Sequence, residues 1–113
     1  MNKYVVLYYA PISALEMVQN ATPEEVKAGM EPWIAWMARC GDALVDPGAP
    51  LGGGLNVSAS GSSPSDKKVT GYSILQADNM EAAQALLEGH PHLGWMDGCE
   101  VEVHEAIQMP GQE

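Results

Sequence analysis

Residues 3–9 of this chain read KYVVLYY. The run is rich in valine, leucine and tyrosine and has no helical spacing, so it predicts a β-strand that stops before Pro11. Alternation along a strand directs Tyr4, Val6 and Tyr8 to one face, and Val5, Leu7 and Tyr9 to the other. Because both faces are then apolar, this strand is expected in the middle of a sheet that is covered on both sides.

A long amphipathic helix is predicted after this strand and a short helical stretch over Ser13–Val18. Thr22 supplies its cap, with Pro23 at the first helical position and Glu25 three residues past the cap. Pro32 removes one backbone hydrogen bond and predicts a bend near 28–29 rather than two helices. Apolar residues recur at steps of three and four along the helix, which predicts a stripe that packs on a sheet: Val26, Met30, Trp33, Met37, Cys40 and Leu44.

The rest of the chain predicts three further strands and one helix. A second strand over Ala49–Val57 follows a turn at residues 46–48. Ser58–Asp66 is a serine-rich connection that we expect to be the most mobile segment. Val69–Ala77 predicts a third strand, and a helix with its cap at residues 78–81 follows and ends at Gly89. Residues 99–105 alternate strictly between apolar and polar, as in a strand with one exposed side.

Three consecutive glycines, Gly52–Gly54, interrupt the predicted second strand. A glycine-rich loop that cradles phosphate ends in a helix N-terminus, and no helix is predicted after these glycines. The favoured interpretation is a kinked strand, or one that another backbone or a ligand approaches closely.

The predicted order is strand, helix, strand, strand, helix, strand. This order is typical of the α+β ferredoxin-like fold, βαββαβ, an antiparallel sheet with both helices on one face, and residues 1–113 provide for a single domain. The other face of the sheet would expose the apolar side of the first strand. Pairing of two sheets face to face would bury that side, so the sequence predicts a homodimer.

Composition excludes several classes of partner. Fifteen acidic and five basic residues leave a net charge of −10, which repels phosphate backbones and anionic lipid, so neither a nucleic acid nor a membrane partner is expected. The apolar run near the start is too short to span a bilayer and has no signal-peptide cleavage pattern. Cys40 and Cys99 lack metal-type spacing, which predicts reduced thiols and a cytoplasmic protein.

Three segments carry a resemblance to a known family: residues 33–51 (WIAWMARCGDALVDPGAPL), 71–75 (GYSIL) and 90–93 (HPHL). Together they resemble the YCII-related family, including its DGPF-type branch, along nearly the whole chain. The resemblance implies a dimeric α+β barrel with a cleft between sheet and helices. It also implies a site near that cleft where a recurring His and Asp suggest enzymatic activity.

This chain departs from that pattern, because every histidine lies at position 90 or later and the family's helical His has no counterpart. His90-Pro91 stands where relatives have Asp-Pro, which makes His90 the candidate acid or base. Asp42 and Asp46 are the nearest carboxylates by topology and the candidate partners. The candidate ligand-binding residues are Trp36, Tyr8, Tyr72 and His92.

Each candidate also has a structural interpretation. His90 is as well suited to capping the last carbonyls of the preceding helix as to a pocket. His90, His92 and His104 form a weak metal pattern without a carboxylate at a recognised spacing, so no metal and no cofactor is predicted. Two hypotheses remain: a small-molecule enzyme in which His90 transfers a proton, and a non-catalytic module for ligand binding or dimerisation.

Overall fold

The computed structural model describes residues 1–12, 16, 19, 21–66, 68–94, 97–107, 109 and 110. The predicted short helix over Ser13–Val18 falls largely outside these residues. The helices are Pro23–Cys40 (α1) and Met80–Leu86 (α2), with 3₁₀ turns at Gly41–Ala43 and Pro91–Gly94. The strands are Asn2–Tyr9 (β1), Leu44–Asp46 (β2), Leu55–Ser58 (β3), Gly61–Pro64 (β4), Val69–Ala77 (β5) and Glu100–Glu105 (β6).

Four strands form the main antiparallel sheet in the order β2-β5-β1-β6, and β3 and β4 pair separately as a hairpin. The central position predicted for β1 is confirmed. Val6 lies opposite Ser73 of β5 and Val103 of β6, and Tyr8 lies opposite Gly71 and Val101. This register places residues from three strands side by side under the helices.

The two faces of β1 have different surroundings. Tyr4, Val6 and Tyr8 are buried in the core beneath both helices, whereas Val5, Leu7 and Tyr9 are only half-buried. The molecule measures 45 × 44 × 20 Å, and its smallest dimension corresponds to one sheet and one layer of helices. Within the described chain, the helices cover one face of the sheet and leave the other uncovered.

The start of α1 follows the prediction. The Thr22 side chain accepts a hydrogen bond from the Glu25 backbone N–H (3.1 Å), and the Glu25 carboxylate accepts one from the Thr22 N–H (3.4 Å). The helix continues through Pro32 as one element and ends at Cys40. In the ranges that the structure describes, no helix is both long and apolar enough to cross a membrane.

The buried side of α1 agrees in part with the predicted stripe. Cys40 is buried, and Trp33 and Met37 are half-buried and pack against the core. Met30 is exposed, and Trp36, which lies outside the predicted stripe, is 3 % exposed. The stripe prediction assumed that every apolar residue at helical spacing meets the sheet. Only the C-terminal half of α1 lies over the core, where Trp36 and Cys40 are its buried residues.

The predicted helix start before Met80 is confirmed, since the Asn79 side chain accepts a hydrogen bond from the Ala82 N–H (2.8 Å). The helix ends at Leu86, slightly earlier than predicted. Gly89 lies in the turn that follows, with a φ of 68° in the left-handed region that favours glycine. This turn carries the chain from α2 to the histidines.

The prediction of one strand over Ala49–Val57 is wrong, because this range contains an isolated bridge at Pro50 and, separately, the first three residues of β3. The strand that joins the sheet is β2, earlier in the chain, and Pro50 adds a single bridge to Gly71. Residues 55–57 belong instead to β3. The serine-rich connection contains the turn of the hairpin and β4, and its mobility stays a prediction.

Gly48 explains why the chain turns after β2. Its φ is 79°, and a Cβ at this position would lie 1.7 Å from the Tyr72 carbonyl oxygen, so no other residue fits. Asp46 Oδ1 accepts a hydrogen bond from the Gly48 N–H (2.8 Å) and closes the turn. The predicted turn at residues 46–48 is confirmed.

Candidate functional site

A buried cluster of aromatic and polar side chains lies between the sheet and α1. Tyr8 comes from β1, Ser73 from β5 and both Trp33 and Trp36 from α1, while His90 and His92 come from the turn after α2. Tyr8 and His90 are each 2 % exposed. The cluster forms because Tyr8 and Ser73 are inward-facing residues on neighbouring strands, and the turn after α2 passes over them.

Hydrogen bonds connect the cluster in a single direction. The His92 backbone N–H donates to His90 Nδ1 (3.0 Å), so this nitrogen carries a lone pair, and the proton of the neutral ring is on Nε2. Nε2 then donates to the Tyr8 hydroxyl (3.2 Å), and Tyr8 donates to Ser73 Oγ (2.8 Å). Ser73 in turn donates to the Pro47 carbonyl (2.9 Å). Each side-chain group in this series of hydrogen bonds therefore has a partner.

Burial keeps the two ionisable groups in this series of hydrogen bonds, His90 and Tyr8, neutral. Burial, together with His92 and Arg39, lowers the pKa of His90 to about 4. Burial raises the pKa of Tyr8 to about 12, although the hydrogen bond with Ser73 acts in the opposite direction. At pH 7 the imidazole is therefore uncharged and the phenol holds its proton.

Aromatic rings surround the His90 imidazole. The ring centroids of Trp36, Trp33 and Tyr8 lie 4.4, 4.6 and 5.0 Å from its own, and the two tryptophan contacts are edge-to-face. His92 is also fixed, because its Nε2 donates to the Tyr9 carbonyl oxygen (2.7 Å). The two histidines are thus held by aromatic rings and by backbone hydrogen bonds.

Two side chains of α1 donate hydrogen bonds to the C-terminal end of α2. Trp36 Nε1 donates to the Leu86 carbonyl (2.9 Å), and Arg39 donates to the carbonyls of Leu86 (3.1 Å) and Glu88 (2.7 Å). The Leu86 carbonyl ends the helix and has no partner within it, and the Glu88 carbonyl lies in the turn that follows. The side chains of Trp36 and Arg39, and not the imidazole of His90, therefore cap α2, while the His90 backbone N–H donates to the Leu87 carbonyl (3.1 Å).

The structure does not bring the predicted carboxylates to His90. Asp46 closes the turn with Gly48, and the Asp42 carbonyl accepts a hydrogen bond from the Gln76 side chain (2.7 Å). Neither residue forms a hydrogen bond or ion pair with His90 among the described residues. The partner of His90 is Tyr8, which the sequence nominated as a ligand-binding residue.

The remaining candidates are divided between the two faces of the sheet. Tyr8 and Trp36 belong to the cluster, together with His92. Tyr72 pairs with Leu7 on the uncovered face and is half-buried. It therefore lies on the opposite side of the sheet from His90, and the predicted set is not one site.

Ser73 was missed by the sequence analysis. It is fully buried and receives the Tyr8 hydroxyl proton. A signal was present, because Ser73 is a polar residue at a position of β5 whose same-face neighbours, Gly71 and Leu75, are buried. A hydroxyl at such a position predicts a buried hydrogen-bond partner.

Two cavities lie along β6. One of about 410 Å³ contains Tyr9, Lys68 and Glu100 in its lining, and one of about 340 Å³ contains Leu87, Leu93 and Val103. Neither is lined by His90. Among the described residues, no three His, Cys, Asp or Glu side chains are placed to hold a metal ion.

No protein-family model and no curated protein matches this sequence.

Proposed function

We propose that this chain is a non-catalytic homodimeric module with a ferredoxin-like fold, and that the His90 cluster is its structural lock. The strand order β2-β5-β1-β6 with two helices on one face supports the fold assignment. The relationship to the YCII-related family stays part of this proposal and rests on the resemblance of residues 33–51, 71–75 and 90–93. A cytoplasmic location agrees with the reduced thiol of Cys40.

The observation that carries the proposal is the closed hydrogen-bonding of His90. A general base needs a nitrogen lone pair directed at the substrate, but the lone pair of Nδ1 accepts the His92 backbone N–H. A general acid needs a proton directed at the substrate, but the Nε2 proton is donated to Tyr8. Both ring nitrogens thus hold the protein together and neither faces a ligand.

The uncovered sheet face supports the homodimer. Its centre consists of half-buried apolar residues on β1 and β5, and its border along β6 is polar, with Glu102 paired to His104. A surface with an apolar centre and a charged rim is typical of a protein–protein interface. The central residues are Val5, Leu7, Tyr9, Tyr72 and Ile74.

Sedimentation of Leu7→Asp tests the pairing of the sheets. The wild-type protein should sediment as a dimer at micromolar concentration and Leu7→Asp as a folded monomer, because a carboxylate would be buried at the centre of the contact. Asn2→Asp adds the same charge to the exposed end of the same strand and should remain dimeric. A wild-type monomer would refute the pairing.

A second candidate function is the small-molecule enzyme, with Tyr8 assisting His90. One observation favours it: two groups with oppositely shifted pKa values, Tyr8 and His90, lie in contact beside the half-buried Trp33. A metabolite screen by thermal shift, followed by mass analysis, separates the two candidates. A ligand that raises the melting temperature and is recovered unchanged supports the module, whereas one that is consumed by wild type but not by His90→Asn supports the enzyme.

A further inference from the structure

The β3–β4 hairpin extends from the body of the molecule, and no other element in the described part of the chain packs over it. Every residue from Leu51 to Pro64 is exposed. The radius of gyration is 15.5 Å, compared with about 13 Å expected for a compact chain of this length. An isolated two-stranded hairpin is only marginally stable in water, so the arm needs a surface to pack against.

The hairpin presents an apolar side. Leu55 and Val57 are 62 % and 73 % exposed, and strand alternation places both on the same face. Their cross-strand partners are Pro64 and Ser62, so this face carries no charge. Asn56 and Ser58 occupy the opposite face. The two faces of β3 therefore differ in the way that a strand with one buried side does.

Charge indicates which partner the arm fits. No Asp, Glu, Lys or Arg occurs from Pro47 to Ser65, although the whole chain has a net charge of −10. A neutral arm approaches another acidic molecule without the repulsion that two acidic surfaces would experience. A basic partner would instead be attracted to the acidic surface of the body. The neutral arm thus fits a second copy of this chain.

The position of the arm agrees with this partner. The chain enters the arm directly after the Pro50–Gly71 bridge and the hydrogen bond from the Leu51 N–H to the Thr70 carbonyl (2.9 Å). Tyr72, the next residue of β5, belongs to the uncovered sheet face. The arm therefore leaves the sheet beside the surface through which the chain is proposed to dimerise.

Glycines at the base of the arm are not packed against other parts of the protein that the structure describes. Gly52 and Gly53 have no heavy atom within 4 Å of a Cβ position, and Gly53 has a φ of 62°. The Ser65 N–H donates to the Gly54 carbonyl (2.9 Å), which closes the hairpin just beyond these residues. The hairpin therefore joins the body through a segment whose glycines are not packed against other atoms.

We propose that the β3–β4 hairpin is an assembly arm that lays the side formed by Leu55 and Val57 on the partner subunit of a homodimer. This inference rests on the proposed homodimer. The hairpin would add a second contact outside the paired sheets. In this contact the hairpin of each subunit packs on the partner subunit.

A pair of substitutions on adjacent residues tests the arm. Val57→Asp and Asn56→Asp each add one carboxylate to β3, on opposite faces. Val57→Asp should raise the dimer dissociation constant by about tenfold or more, because the carboxylate would be buried against the partner. Asn56→Asp should leave it within about threefold of wild type. Sedimentation equilibrium over a protein concentration series measures all three constants.

The outcomes separate the arm from the sheet pairing. Equal constants for Val57→Asp, Asn56→Asp and wild type, with Leu7→Asp monomeric, would overturn the arm and leave the sheet pairing intact. A weakened Val57→Asp dimer with an unaffected Leu7→Asp dimer would support the arm and overturn the sheet pairing. A monomeric wild type would overturn both.

Discussion

At the scale of the residue, His90 joins three parts of the chain that are far apart in sequence. Its imidazole links the turn after α2 to Tyr8 on β1, and through Tyr8 to Ser73 on β5. Protonation has to occur at Nδ1, since Nε2 already carries a hydrogen. A proton there would face the His92 backbone N–H, and two donors would oppose each other. The neutral imidazole is therefore part of the folded state.

This arrangement predicts that the folded state loses stability in acid. The pKa of His90 is about 4 when folded and 6.5 in its ordinary range, so the unfolded chain binds the extra proton first. The neutral His90 imidazole makes its full contribution to the free energy of unfolding above pH 6.5. As the pH falls towards 4 this contribution is lost, which lowers the free energy of unfolding by up to about 3 kcal/mol. Urea unfolding at a series of pH values between 7 and 4.5 gives the free energy of unfolding of wild type and of His90→Asn. The difference between the slopes of the two free energies against pH measures the contribution of His90. Parallel slopes would contradict the prediction.

The two nitrogens of His90 can be tested separately. Asparagine places an oxygen near Nδ1 and keeps an acceptor for the His92 N–H, whereas glutamine places a donor near Nε2 and keeps the bond to Tyr8. Each variant retains one of the two bonds, so each should lower the free energy of unfolding by about 1–3 kcal/mol, and His90→Ala should lower it further. Chemical denaturation at pH 7 compares them. An His90→Ala protein as stable as wild type would show that the lock is dispensable.

At the scale of the element, α1 depends on its first turn as well as on packing. Its N-terminal half is largely exposed, so the capping box of Thr22 and Glu25 is the main stabilising contact there. Thr22→Ala should lower the free energy of unfolding by about 1 kcal/mol, and Thr22→Ser, which keeps the hydroxyl, should retain most of it. Urea unfolding followed by tryptophan fluorescence distinguishes them. Equal losses for the two variants would mean that the hydroxyl is not the stabilising group.

At the scale of the whole molecule, the proposed association of two subunits is opposed by their net negative charge. Two chains of net charge −10 repel each other, and the proposed contact is apolar at its centre. Salt shortens the range of the repulsion, from a Debye length of about 30 Å at 0.01 M to about 8 Å at 0.15 M. The dimer dissociation constant should therefore fall when sodium chloride is raised over that range at pH 7, as measured by sedimentation equilibrium. Dissociation by added salt would instead indicate that ion pairs hold the dimer.

Several features of this protein followed from local sequence. The two faces of β1, the capping of α1 by Thr22 and the alternation of β6 each depend on residues within a few positions of one another. Strand and helix periodicity are properties of the local backbone, so composition and spacing are sufficient to predict them. The prediction failed at residues 49–57, where glycines and β-formers are mixed. There, the pairing with β5 selected β2 for the sheet and left β3 to the hairpin.

Periodicity alone is sufficient to predict which residues share a face of β1, α1 and β6. Tertiary packing fixed how α1 is placed on the sheet, and therefore that Trp36 is more deeply buried than Trp33. It also decided that His90 meets Tyr8, 82 positions away, and not Asp42 or Asp46. Those outcomes depend on the packing of elements that are distant in sequence, and no local pattern records which inward-facing side chains will touch.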